Sequence, residues 1–259
     1  MKLRGLLFCC LLFSCPAFAQ DPPPSAEAAD VEFLPRYDFR MSAERLSGDD
    51  PRFVWDTNFN GGIDVVRYRQ ARLSFQANYQ AMLGEEFRAF DPNQGNYTLE
   101  GALTTRIRDL VVGPVLYHQS RHLGDRSKDE PIDWNMAGGR VGGLWERGPA
   151  RIDSRVDLRW VFNKTYVDYQ WELDGGVAAQ YQVHPRVSVV GGADLRVLGV
   201  DGSRNRGTQT GFRTDGGLRL EGTAAAMEFF LAVERRIDPY QLQFGTATWA
   251  SFGMRLLSK

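Results

Sequence analysis

The sequence predicts an all-β protein: one up-and-down antiparallel barrel of about twelve strands spanning a bacterial outer membrane. Three observations lead there. The first residues read as an export leader, the chain then alternates apolar and polar residues over segments of 10 to 16 residues, and the connections between those segments mostly alternate long and short, with 164–167 as an exception. Strands of soluble sheets usually run about 5–6 residues, whereas a tilted strand needs about 9–11 to cross a bilayer. Long loops on one side, short turns on the other and an even strand count form the pattern of an outer-membrane barrel.

The leader comes first. Lys2 and Arg4 precede an apolar run from Leu6 to Phe13, and Ala17-Phe18-Ala19 provides a small-x-small cleavage site before Gln20, so residues 1–19 read as a signal peptide. A lipid anchor on Cys15 fits less well, because Phe13 and Pro16 suit such a site badly. Cys9, Cys10 and Cys15 all lie in the leader, leaving a mature chain of 240 residues without cysteine. Disulfides, thiol catalysis and zinc–thiolate sites are thereby excluded. The mature chain has 29 basic against 32 acidic residues, a net charge of −3 that argues against a nucleic-acid partner. Residues 20–35, with Pro22-Pro23-Pro24 and Ala-rich acidic text, read as a flexible periplasmic lead-in.

The barrel is expected over 36–257. Its first two segments, 36–46 and 58–67, flank a long connection. In 71–82, Leu73, Phe75, Ala77, Tyr79 and Ala81 alternate with Arg72, Ser74, Gln76, Asn78 and Gln80. In 96–107 the odd residues Tyr97, Leu99, Leu103 and Ile107 form the apolar set, while 110–122 has valines on both parities. The segment 136–147 follows a long loop. In 151–163, Ile152, Ser154, Val156, Leu158, Trp160 and Phe162 oppose Arg151, Asp153, Arg155, Asp157 and Arg159. In 168–183, Tyr169, Trp171, Leu173, Val177, Ala179 and Tyr181 are read as lipid-facing. The remaining segments are 186–198, 210–222, 225–236 and 246–257, the last carrying Phe252, Met254 and Leu256 on one face. Tyr68, Trp145 and Tyr181 beside short turns, and Trp160, Phe162, Tyr169 and Trp171 beside a loop, are placed as interfacial aromatic belts. The opposite face carries both signs of charge, including Arg72, Arg106, Asp153, Arg155, Asp157, Glu172, Asp194, Arg213, Glu228 and Glu234. Interleaved ion pairs in a barrel of this size predict a lumen filled by its own side chains and without conduction.

One constellation could carry chemistry. In Tyr117-His118-Gln119-Ser120-Arg121-His122-Leu123-Gly124-Asp125, the i, i+2 spacing projects His118, Ser120 and His122 to one strand face. A serine nucleophile needs a neighbouring base, and the base needs a third group to orient it. The bland alternative is a polar cluster at the outer rim. Asp125, Asp129, Glu130 and Asp133 could orient His118 or bind calcium at an interface, or form a solvated acidic loop. No other cofactor is expected. The direction of the triplet depends on the turn before it: a two-residue Arg108-Asp109 turn pairs Ile107 with Leu110, turns even residues toward lipid, and puts His118 beside Leu99 and Ser120 beside Tyr97.

The run from Asn96 to Arg126, above all 118–125, resembles an uncharacterised bacterial outer-membrane family, a domain of unknown function, with the hallmark H-x-S-S-H-L-G-D-E, and the stretch from Phe229 to Leu256 has that family's spacing more loosely. Arg121 and Arg126 depart from it. More locally, His118-Gln119-Ser120 is similar to outer-membrane phospholipase A, a twelve-stranded barrel whose His and Ser are likewise separated by Gln and face the outer leaflet. That resemblance implies an orienting Asn on the following strand, for which Asn135 is the nearest candidate, with His122, Asp125 and Asp133 as alternative orienting or rim residues. Three functions follow as expectations: a lipid acyl-ester hydrolase, a structural or scaffolding barrel with a rim network, and a small-solute pore. The expected location is the Gram-negative outer membrane, and the expected partners are membrane lipids, the outer-membrane assembly machinery and a second copy of the chain in a homodimer.

Overall fold

In the computed structural model, residues 31–124, 127, 130–240 and 243–259 are described. The expected signal peptide lies outside the described residues. Twelve strands form one closed sheet in which each strand pairs antiparallel with the next: β1 (Val31–Leu46), β2 (Trp55–Tyr68), β3 (Ala71–Gly84), β4 (Asp91–Ile107), β5 (Leu110–Leu123), β6 (Ile132–Arg147), β7 (Ala150–Thr165), β8 (Tyr169–His184), β9 (Val187–Val200), β10 (Gln209–Glu221), β11 (Ala225–Ile237) and β12 (Thr246–Ser258). Closure is made by Arg40–Leu46 of β1 against Ser251–Leu257 of β12.

The short connections 69–70, 108–109, 148–149, 185–186 and 222–224 lie at the end that carries both termini, the periplasmic end of an outer-membrane barrel. Arg69, Arg108 and Gly148, each first in a two-residue turn, have φ of 52°, 57° and 58°. Positive φ at this position belongs to the mirror-image turns whose twist matches that of the flanking strands. With Arg108-Asp109 in place, Ile107 pairs with Leu110 as expected, and even residues of β5 face outward. Leu116 is 62% exposed while its neighbour Val115 is 1% exposed.

Three expectations are corrected. First, β1 begins at Val31 rather than at residue 36, so residues 31–35 of the expected lead-in belong to the wall. Next, β6 begins at Ile132 rather than 136, which takes Asn135 out of the loop and onto the wall. Finally, Tyr169 is not part of the lipid-facing belt. A register shift between Tyr169 and Trp171 against β9 breaks the alternation, and Tyr169 turns inward to 1% exposure.

The lumen is layered. Beneath the outer loops sit two apolar clusters, one of Ile132, Trp134, Met136, Val167, Tyr169, Leu198 and Ile237, the other of Leu46, Phe53, Met82 and Trp249. Charge alone does not reveal this cap, since its residues come from strand ends where the period is broken. The middle holds ion pairs. Arg140 bonds Glu100 at 2.8 Å and Asp157 at 2.7 Å, and Arg155 bonds Asp174 at 2.7 Å. On the wall made by β10, β11, β12 and β1, Arg213 bonds Glu44 at 3.0 Å and Glu234 at 3.1 Å, and Arg255 bonds Asp215 at 2.9 Å. These pairs leave a cavity of about 640 Å³, lined by amides such as Asn58 and Asn78 on one wall and by Arg213, Asp215 and Arg219 on another. It extends to Lys259 at the periplasmic end.

At the outer end the loops are clasped together. Arg206 bonds Asp168 at 2.7 Å and Asp238 at 2.8 Å, and Tyr169 donates its hydroxyl to Asp238 at 2.7 Å. Burial by itself would raise the Asp238 carboxyl, but donors from Arg206, the Gly245 backbone and Tyr169 outweigh it and hold the group below its ordinary 3.8.

Candidate functional site

Most of the outer wall is apolar, and the outer ends of β5, β6 and β7 interrupt it with two polar rows. The first row is read from the strand register: Leu99, His118, Asn135 and Asn163 stand side by side on β4 to β7. The second, one step nearer the loops, is Tyr79, Tyr97, Ser120, Asp133 and Thr165. One step deeper, Gly101, Leu116, Ala137 and Trp160 return the wall to an apolar surface. The polar rows therefore lie level with aromatic side chains, at the depth where a membrane-spanning barrel carries its interfacial belt.

Asn163 reaches the outside through an irregularity. The β6–β7 register passes from Asn135↔Asn163 to Met136↔Val161, so Phe162 is an extra residue. A β-bulge of this kind re-aims the side chains beyond it. Period-two reading assigns Asn163 to the lumen and therefore missed it, together with Thr165. No local feature of the sequence marks the bulge.

The side chains make two contacts. His118 Nδ1 lies 2.9 Å from Asn135 Oδ1. An amide oxygen only accepts, so the imidazole Nδ1–H donates, and in the neutral ring this tautomer leaves on Nε2 the lone pair that a general base needs. Ser120 Oγ lies 3.3 Å from His122 Nε2, and the His122 ring meets the Tyr97 ring edge-on with centroids 5.3 Å apart. His122 is exposed at the rim, opposite Gly95. Asp133, directly across from Ser120, faces outward as well. Asp125 and Asp129 lie outside the described residues, and among the described residues no three acidic, histidine or cysteine side chains gather to hold a metal ion.

The β4 side of Ser120 is aromatic. Tyr79 and Tyr97 pack with ring centroids 4.7 Å apart, and their side chains share a hydrogen bond. A Cβ at Gly95 would lie 2.8 Å from Tyr79 Cε2 and 3.0 Å from its hydroxyl, so only glycine lets that phenol lie over β4.

Among solved structures, the chain is similar to the outer-membrane phospholipase of Salmonella typhi, solved as a dimer with bound calcium. The TM-score is 0.53 at 12% identity, over 86% of this chain and 90% of that one. Outer-membrane phospholipase A from Escherichia coli gives 0.52 at 12% identity, over 88% and 98%. An outer-membrane channel from Pseudomonas putida F1 gives 0.50 at 13%, over 92% and 99%. Likeness at such identity shows the fold, that of twelve-stranded outer-membrane barrels. No protein-family model and no curated protein sequence matches the chain, so the resemblance to the uncharacterised family rests on the 118–125 motif.

Proposed function

We propose that this outer-membrane barrel hydrolyses an acyl ester of a membrane lipid, with Ser120 as nucleophile, His118 as base and Asn135 as the group that orients it. The observation that carries the reading is the 2.9 Å bond between His118 and Asn135 on the lipid-facing wall, in the rows that also hold Ser120. A hydrogen-bonded imidazole–amide pair beside an outward serine supplies the last two parts of a triad. Ser120 Oγ attacks the acyl carbonyl carbon while its proton passes to His118 Nε2. The carbon–oxygen ester bond then breaks, and the same proton goes to the departing alcohol oxygen. Water attacks the acyl-serine, His118 again takes a proton, and a fatty acid leaves as Ser120 recovers its hydroxyl. An outward site admits a lipid directly from the bilayer, which a lumen closed by ion pairs and apolar caps would not.

The test is fatty-acid release from detergent-dispersed phospholipid or lipid A, with and without calcium. Ser120→Ala and His118→Ala should each abolish release, and the double variant should be no worse, because nucleophile and base act as one unit. His122→Ala should be milder. Folded wild-type protein that releases nothing under these conditions would defeat the proposal.

A second reading is a non-catalytic barrel in which the three residues form a rim network. It is favoured by the 3.3 Å contact that joins Ser120 to His122 instead of His118. Residual activity lost with His122→Ala but kept in His118→Ala would instead make His122 the base.

A further inference from the structure

We propose that the Tyr97 hydroxyl is the donor that stabilises the oxyanion formed when Ser120 attacks an ester; the inference rests on the hydrolase reading above. A tetrahedral intermediate places a full negative charge on the former carbonyl oxygen, and donors aimed at that charge are among the largest contributors to such catalysis. Many hydrolases use backbone N–H groups for this. A barrel wall has none to spare, because the ladders with both neighbouring strands consume them. β5 keeps one register against β4 out to Leu123 and one against β6 out to Arg121, so Ser120 lies within both ladders and no bulge frees an amide beside it. An outward side chain beside Ser120 is then the better-placed donor.

Few candidates border Ser120. On β6 stands Asp133, whose carboxylate oxygens are acceptors. His118 is committed as base, and Asn135 turns its amide oxygen to His118. Across β4 stands Tyr97, directly opposite Ser120 in register. Its ring lies between those of Tyr79 and His122, the same His122 whose Nε2 is 3.3 Å from Ser120 Oγ. A neutral phenol suits this position: it tolerates an interfacial site with its ring in lipid, and it donates without adding a charge. Two hydroxyls that share one hydrogen bond retain one O–H for a third atom. Tyr79 thereby positions and polarises Tyr97, and Gly95 provides the space in which Tyr79 lies.

The experiment measures kcat and KM for fatty-acid release by folded wild-type protein and by Tyr97→Phe, Tyr79→Phe, Gly95→Ala and Ser120→Ala. Tyr97→Phe keeps the ring and removes the donor, so kcat should fall on the order of 100-fold with KM nearly unchanged, as for a contact made only in the transition state. Tyr79→Phe and Gly95→Ala should each lower kcat by a smaller factor, and they carry the test should Tyr97→Phe fail to fold. Tyr181→Phe, at the periplasmic rim, is the control and should match wild type. A Tyr97→Phe protein with wild-type kcat, or one altered only in KM, would overturn the inference while leaving Ser120→Ala inactive and the hydrolase reading intact. Wild-type protein no more active than Ser120→Ala would overturn both.

Discussion

At the scale of single residues, two side chains carry the most weight. Asn135 holds the His118 ring through one bond of 2.9 Å. Without it the imidazole loses its fixed tautomer, so Asn135→Ala should lower kcat by about 10²-fold, in the range that general-base catalysis contributes. Asn135→Asp should recover part of the loss, since a carboxylate also accepts from Nδ1. Equal rates for Asn135→Ala and wild type would remove Asn135 from the site. Trp134, its neighbour on β6, faces the other way and is fully buried, meeting Tyr169 edge-on at 5.0 Å. Trp134→Ala should destabilise the barrel by about 3–5 kcal/mol through the cavity it leaves, read from urea unfolding of the detergent-solubilised protein. The placement of Trp134 was not legible in the sequence, because only the true start of β6 reveals it.

At the scale of elements, a single turn aims the whole site. The strand β5 is apolar on both parities near its start, so its own residues do not choose a face. The two-residue turn Arg108-Asp109 does, by pairing Ile107 with Leu110. Inserting one residue there would send His118, Ser120 and His122 into the lumen and Gln119 and Arg121 into lipid. That variant should fail to reach the heat-modifiable folded form on a gel; a normally folded product would show that the turn does not set the register. The outer loops offer a second test. The Asp238 carboxyl is held below 3.8 in the fold, so its share of stability is complete above the unfolded value and is lost as pH falls through the folded one. Acidification from about pH 5 to below 3 should therefore loosen the clasp of Arg206 with Asp168 and Asp238. Hydrogen exchange in the 238–240 and 243–245 backbone should rise over that interval, and unchanged protection would count against the clasp.

At the scale of the whole molecule, the wall and lumen follow from one rule: charge avoids hydrocarbon and apolar surface avoids water. Val156 is 50% exposed on the outside, while Asp157 is fully buried against Arg140 inside. Single cysteines introduced into residues 20–259, which contain no cysteine, should show it. A lipid-restricted probe should label position 156 strongly and 155 weakly, and the reverse would overturn the wall assignment. The lumen combines paired charges with apolar caps above a cavity of about 640 Å³. Planar-bilayer recording should accordingly find no stable steps of porin size; reproducible open steps would show that the caps yield.

The chain's own periodicity made legible an all-β barrel of about twelve strands and the two faces of most of them, because membrane strands repeat every two residues over lengths that soluble strands do not need. It also singled out His118 and Ser120, whose spacing puts them on one face. Which face that was depended on a turn between strands, and Asn135 comes within 2.9 Å of His118 through the pairing of β5 with β6. The bulge that turns Asn163 outward, the inward Tyr169 and the space at Gly95 that receives Tyr79 depend on register between strands far apart in sequence. Periodicity is a property of one strand, whereas a site on a barrel wall belongs to its neighbours.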